Sequence, residues 1–275
     1  MDMSARRFGR YDLTVLLDGI FEAPKSVLIH AAGEDARRRL IDGWPGDKIS
    51  IDVNCYLLRG ENGVSLIDAG TGDHWGPALG KARAALAAAG VRPEEVDRVL
   101  LTHPHGDHAL GLLDGDQAWL PRAEILFPEG DFAFFSDPAI AETFPPARRG
   151  NFKTVATLAR AYDGRLRTIA PGPVEGMPGV EAVPLPGHTP GHSGYLIGEG
   201  RDALLIWADA FHLGAVQVED PDAGLEYDLD PALAVQSRRF LLKRAAGQGW
   251  RVTGSHVSPI GRIEAGDRGW RFVEG

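Results

Sequence analysis

Residues 101–112 read LTHPHGDHALGL and place His103, His105, Asp107 and His108 within six positions. Imidazole and carboxylate are the ligands that suit a borderline divalent cation. An apolar run leads into them, so a turn at a strand end can aim His103 and His105 at one ion and Asp107 and His108 at a neighbour. Ligands at a strand end are held by the sheet, which limits their motion. The plainer reading, a solvated polar loop, suits one lone histidine better than four ligand-type side chains together. Three more segments repeat the pattern of apolar strand followed by a metal-type side chain. Residues 185–193, LPGHTPGHS, offer His188 as a ligand, with His192 either supporting the ligands from behind or capping the turn. Residues 204–212, LLIWADAFH, put Asp209 at the end of a very apolar run, where a buried carboxylate needs a compensating charge. His256 follows a strand ending at Thr253. Parallel placement of these strand ends gathers the ligands at one edge. Six terminal ligands and one bridging carboxylate exceed the needs of a single tetrahedral ion. Two ions about 3.5–4 Å apart can share a hydroxide as nucleophile and polarise a substrate oxygen.

The elements that must carry these residues are legible as short strands alternating with helices. Strands are predicted at 13–17, 53–58, 64–67, 96–101, 124–127, 166–169, 180–183, 194–197, 203–207 and 250–253, with short strands finishing the chain over 262–272. Helices are predicted at 77–89 and 231–246, the second with Pro231 suited to its first turn. Residues 129–165 differ in character: Phe132, Phe134, Phe135, Phe144 and Phe152 are interleaved with Pro138, Pro145 and Pro146. They read as an inserted helical or loop segment over the site. Interleaved strands and helices imply helices covering two stacked sheets. The length, 275 residues, suffices for a full core, and 44% apolar with 24% charged residues is a globular balance. A net charge of −9 argues against nucleic acid or an anionic membrane as partner. The one cysteine, Cys55, excludes an internal disulfide and a cysteine-built zinc site. Arg6, Arg7 and Arg10 precede an apolar stretch that Asp18 and Gly19 interrupt, so neither an export leader nor a membrane span is expected and the protein reads as cytoplasmic.

The set His103-x-His105-x-Asp107-His108, then His188, Asp209 and His256, resembles in order and spacing the metallo-β-lactamase superfamily of binuclear hydrolases, over roughly Asp52 to Phe272. The resemblance implies an α/β fold, an αββα four-layer sandwich, as a single domain over 1–275 with the insertion at about 129–165. It assigns His103, His105 and His188 to one ion and Asp107, His108 and His256 to the other, with Asp209 bridging. Asp68, in LIDAGTG, matches an aspartate that orients a ligand histidine; the plainer reading is a turn residue. The runs from Asp209 (DAFHLGAVQV), Gly254 (GSHVSPIGRI) and Gly269 (GWRFV) are similar to the methyl parathion hydrolase-like branch, which includes organophosphate hydrolases and lactonases. Related acyl-homoserine lactonases carry a tyrosine three residues after the bridging aspartate, where this chain has His212.

The expected activity is hydrolysis of lactone or ester bonds by a metal-bridging hydroxide, with organophosphate triester cleavage at the same site. Two divalent ions per chain are implied, zinc first, with manganese, cobalt and iron compatible. Asp107 or Asp209 can shuttle the proton, and His212 either donates one or packs beneath the site. Trp119, Phe132, Phe135 and Phe211 are candidates for an apolar substrate pocket, each readable as core instead. The expected partner is a small lactone, ester or phosphotriester, and the resemblance is to enzymes that are often homodimers. A glyoxalase II-like thioesterase shares the GHTPGH segment, but no basic C-terminal patch for glutathione is apparent. A non-catalytic, metal-stabilised scaffold or sensor is disfavoured by the intact ligand set.

Overall fold

The structure is a computed structural model that describes residues 5–266 and 269–275. Seven strands form one sheet: β1 (Arg6–Phe8), β2 (Tyr11–Pro24), β3 (Lys48–Gly60), β4 (Gly63–Ile67), β5 (Val96–Leu100), β6 (Glu124–Pro128) and β7 (Leu166–Ile169). Seven more form a second: β8 (Gly172–Pro173), β9 (Val180–Pro184), β10 (Ser193–Ile197), β11 (Leu204–Ile206), β12 (Arg251–Gly254), β13 (Val257–Gly266) and β14 (Gly269–Glu274). In each sheet the spatial order of the strands is their order along the chain.

Antiparallel neighbours need only tight turns, whereas parallel neighbours need crossovers. The parallel pairs are β4–β5, β5–β6, β6–β7 and β11–β12. Helix α2 (Ala82–Ala88) lies between β4 and β5. The single turn α3 (Gly106–Ala109) lies between β5 and β6, and α4 (Glu129–Ser136), α5 (Pro138–Thr143) and α6 (Gly150–Ala161) between β6 and β7. Helices α7 (Gly214–Glu219) and α8 (Pro231–Gln248) lie between β11 and β12, and α1 (Glu34–Gly43) precedes β3. Helix α8 begins where the Asp230 carboxylate accepts from the Leu233 amide, with Pro231 next, and ends at Gly249 in the left-handed region.

The two-residue period of a strand sorts the layers. Tyr56, Leu58, Ile67, Leu100 and Leu126 face Tyr195, Ile197, Leu204 and Ile206 between the sheets. Their neighbours Leu57, Leu66, Val99 and Ile125 face outward onto Leu86, Val155 and Leu158 of the helices. On the other side Leu196, Leu205 and Val252 meet Leu241, Leu242 and Ala245 of α8. The result is helix, sheet, sheet, helix, the αββα sandwich expected. Beyond the sandwich the β2–β3 pair runs on as an arm, with Ala23, Ile49 and Ile51 packed on Leu213 and Leu225.

Three local expectations change. The helix expected over 77–89 spans only Ala82–Ala88, because Gly76 and Gly80 take left-handed backbone. The buried Asp18 carboxylate, far away in sequence, receives the Gly80 and Ala82 amides. The short strands expected over 262–272 are a longer hairpin of β13 and β14; residues 267 and 268 lie outside the described residues. Helices α1 and α7 were not anticipated. Among the described residues no helix is long and apolar enough to cross a membrane.

Candidate metal centre

All the candidate ligands lie just beyond strand ends on one rim of the sandwich. His103, His105, Asp107 and His108 follow β5, His188 follows β9, Asp209 follows β11, and His256 sits between β12 and β13. His256 can come in because Gly254 lacks a side chain: a Cβ there would fall 2.1 Å from Trp207 Nε1.

The donor atoms converge as two groups. Nitrogens of His103, His105 and His188 approach one carboxylate oxygen of Asp209, and Asp107, His108 and His256 form the second group. Asp209 lies between them. Its Oδ2 is 3.5 Å from His103 Nε2, 3.3 Å from His188 Nε2 and 3.0 Å from His256 Nε2, and its Oδ1 is 3.3 Å from His108 Nε2. Asp107 Oδ2 is 3.5 Å from His108 Nε2 and 3.6 Å from His256 Nε2.

Supporting hydrogen bonds orient each ring. Asp68 Oδ2 accepts from His108 Nδ1 (2.8 Å) and from the Thr102 hydroxyl (2.8 Å), whose oxygen in turn meets His103 Nδ1 at 3.0 Å. One carboxylate therefore turns the Nε2 lone pairs of two histidines toward the cluster. It does so from left-handed backbone (φ 58°), a conformation aspartate tolerates better than most residues. His256 Nδ1 donates to the Asp52 carbonyl (2.6 Å). His192 donates from Nδ1 to the Leu185 carbonyl and accepts the Asp209 amide at Nε2, so both its nitrogens are used. It supports Asp209 from behind and closes its own turn.

The chemistry of this donor set fits divalent cations. His103 Nε2, His108 Nε2 and Asp209 Oδ1 are buried without any hydrogen-bond partner, a situation rare for polar atoms unless a ligand completes them. Charge is balanced accordingly. Burial holds His105 and His192 near 3 and His212 near 4, and pushes His103 well below the ordinary range. Burial also disfavours charge on His188, but hydrogen bonds to Asp209 and Asp228 lift it to about 9. Burial opposes ionisation of Asp209, yet the surrounding His108 and His256 keep it a carboxylate. The imidazoles are thus divided: the carboxylates raise His108, His188 and His256, while burial keeps His103, His105 and His212 neutral.

His212 belongs to this cluster as well. Its Nε2 is 3.3 Å from Asp209 Oδ2, its ring stacks on His256 (4.8 Å, 12°), and its amide donates to Gln217 Oε1. With Asp209 and His256 it makes a third group of convergent donors.

The cluster floors a cavity of about 470 Å³, of a size for a small organic ligand. Phe21, Ile51, Trp75, Phe135, Phe144 and Phe152 give its walls apolar character, and Arg148, Glu226 and Tyr227 add polar groups. Of the four aromatic pocket candidates only Phe135 lines it. Trp119 lies under the Arg83 guanidinium (4.6 Å), Phe132 packs on Phe127 (5.6 Å) and Phe211 is buried on Trp207 (4.6 Å). Those three are corrected to packing residues, because each ring is engaged by these neighbours and none lines the cavity. Sequence reading missed Phe21, Trp75, Thr102, Asp18, Asp228 and the Asp52 carbonyl. Thr102 lies inside the LTHPHGDH motif and is the only one of these with a local signal.

Comparison with known proteins gives a consistent placement. The family described as Metallo-beta-lactamase superfamily matches residues 51–256. An uncharacterized protein, YobT, of Bacillus subtilis (strain 168) is 33% identical over 164 residues, 58% of this chain and 63% of that protein's length. An N-acyl homoserine lactonase from Bacillus sp. is 28% identical over 207 residues, 67% of this chain and 74% of the relative. Among solved structures, hydrolase AbOPH of the beta lactamase superfamily superposes with a TM-score of 0.86 at 25% identity, covering 99% of this chain and 97% of that one. AidC, a dizinc quorum-quenching lactonase, superposes with a TM-score of 0.87 at 23% identity over the same shares of the two chains.

Proposed function

The chain belongs to the metallo-beta-lactamase superfamily, and from that membership we propose that it is a hydrolase using two divalent ions, zinc before the alternatives, to open lactones or esters with an apolar acyl chain. One observation carries the reading: the Asp209 carboxylate lies between two donor groups at the floor of a largely apolar cavity. His103, His105 and His188 would hold one ion, Asp107, His108 and His256 the other, and Asp209 both. Bound there, the ions would supply the nucleophilic water and the Lewis acidity that an acyl transfer to water needs.

The chain's own groups do the rest. The aromatic walls seat the acyl chain and exclude water. Asp107, a carboxylate held low by His108 and His256 in spite of burial, can take a proton and pass it on. His212, neutral in this setting, presents Nε2 to the same floor and can donate a hydrogen bond from Nε2–H to the oxygen on which charge develops. It stands where related lactonases place a tyrosine. The N-acyl homoserine lactonase relatives favour a lactone with an amide-linked acyl chain as substrate.

The test is metal content per chain, then an assay of short- and long-chain acyl lactones, aryl esters and phosphotriesters before and after chelation. His103→Ala and Asp209→Ala should lose more activity than the roughly 100-fold that supporting partners are worth, in a protein that keeps its circular dichroism. His212→Ala should keep its metal and lose about 10²–10³ in kcat, the loss of one hydrogen-bond donor to developing charge. Full activity in the ligand variants rejects the reading, and turnover confined to phosphotriesters rejects the substrate class.

A further inference from the structure

His188 alone among the candidate ligands is gripped by a buried ion pair. Its Nδ1 lies 3.0 Å from Asp228 Oδ1, and Asp228 Oδ2 lies 3.3 Å from Arg238 Nη1. Arg238 Nε donates to the Pro221 carbonyl, and both members of the pair are 1% exposed. The backbone joins in: the Leu229 amide donates to the His188 carbonyl (3.1 Å) and the Asp230 amide to that of Gly187 (2.8 Å).

A buried ion pair is a poor source of stability compared with apolar groups of the same volume. Its contact with a ligand-type ring gives it another use. A carboxylate at Nδ1 requires the proton there and turns the Nε2 lone pair to the cluster, where His105 Nδ1 is 2.8 Å away. Arg238 offsets the second negative charge this brings near Asp209. We infer that Asp228, fixed by Arg238, is a positioning residue that sets the affinity of the His103–His105–His188 group for its cation while leaving the Asp107–His108–His256 group untouched. This rests on reading the cluster as a metal centre. Asp68 plays the matching part for His108 directly and for His103 through Thr102, whereas Asp228 touches His188.

The experiment is a cobalt(II) titration of the chelated full chain, read by visible absorption and by competition with a chelator. Wild type should take up two ions. Asp228→Asn should weaken one binding step by about 10–100-fold and spare the other. The double variant Asp228→Asn/Arg238→Met, which removes both charges and retains bulk, should show the same single-step loss at an unchanged melting temperature. In histidine-labelled chelated protein, the hydrogen-bonded Nδ1 proton of His188 should shift upfield in the NMR spectrum of both variants, because a neutral amide replaces the carboxylate that accepts it. Wild type that binds no cobalt overturns this proposal together with the functional reading. Wild type that binds two ions while the variants match it at both steps, or lose both equally, overturns the brace alone.

Discussion

Asp131 shows how much one side chain can carry at a distance from the chemistry. Helix α4 holds it fully buried, and its carboxylate accepts from the Thr189 hydroxyl and the Gly191 amide, pinning the inserted helices to the segment that bears His188 and His192. Burial pushes its carboxyl up to about 6 despite those two bonds. A raised folded-state value means the folded protein keeps a proton that the unfolded chain has already lost. Asp131 therefore contributes stability at low pH that disappears as pH rises from about 4 to about 6, a change on the order of 3 kcal/mol. Asp131→Asn keeps a group that can bond both partners and has no proton to lose. Relative to wild type it should gain stability across that window, measured by urea unfolding of the chelated protein at pH 4.5 and pH 7. At this scale the sequence was most informative about the ligands: seven imidazole and carboxylate groups at four strand ends were legible. Of their braces, Asp68 and His192 were legible, and Asp228 and the Asp52 carbonyl were not. Asp228 and His188 are 40 residues apart, and His256 is oriented by a carbonyl 204 residues away, a group with no residue type to notice.

Elements were legible where a period repeats for long enough. The strands with a sustained run of apolar residues were found in place, whereas the short β1 and β8 were not anticipated and β2 runs on to Pro24, seven residues past the expected end. Helix α2 was overextended because Ala and Leu content does not reveal that a distant carboxylate, Asp18, sets its start. The aromatic-rich stretch was readable as an insertion, but which ring reaches the cavity depends on helix phase. Phe134, Phe135, Phe144 and Phe152 pack edge-to-face or tilted against one another, and three of the four also line the cavity. Phe144, half-buried between α5 and α6, is the one whose loss should enlarge the pocket with least harm to the core. Phe144→Ala should lower kcat/KM about tenfold for long acyl chains, little more than 1 kcal/mol of lost contact, and leave short ones unchanged. Steady-state kinetics across a chain-length series checks it.

The whole molecule depends on whatever fills the cluster. Ligands that bind only the folded state add stability by mass action, about 2.7 kcal/mol at a hundredfold excess over the dissociation constant. Chelation should thus lower the melting temperature by about 5 °C or more, with recovery on adding zinc, read by differential scanning calorimetry. A scaffold without catalysis predicts the same shift, so calorimetry belongs beside the substrate panel. The strict agreement between strand order and chain order has one more effect. The first sheet supplies His103, His105, Asp107 and His108, and the second supplies the remaining donors, His256 last. As the ribosome releases the chain, no fragment that stops short of His256 owns a full set of donors. Loading of the cleft is thereby a report that synthesis has passed the turn between β12 and β13.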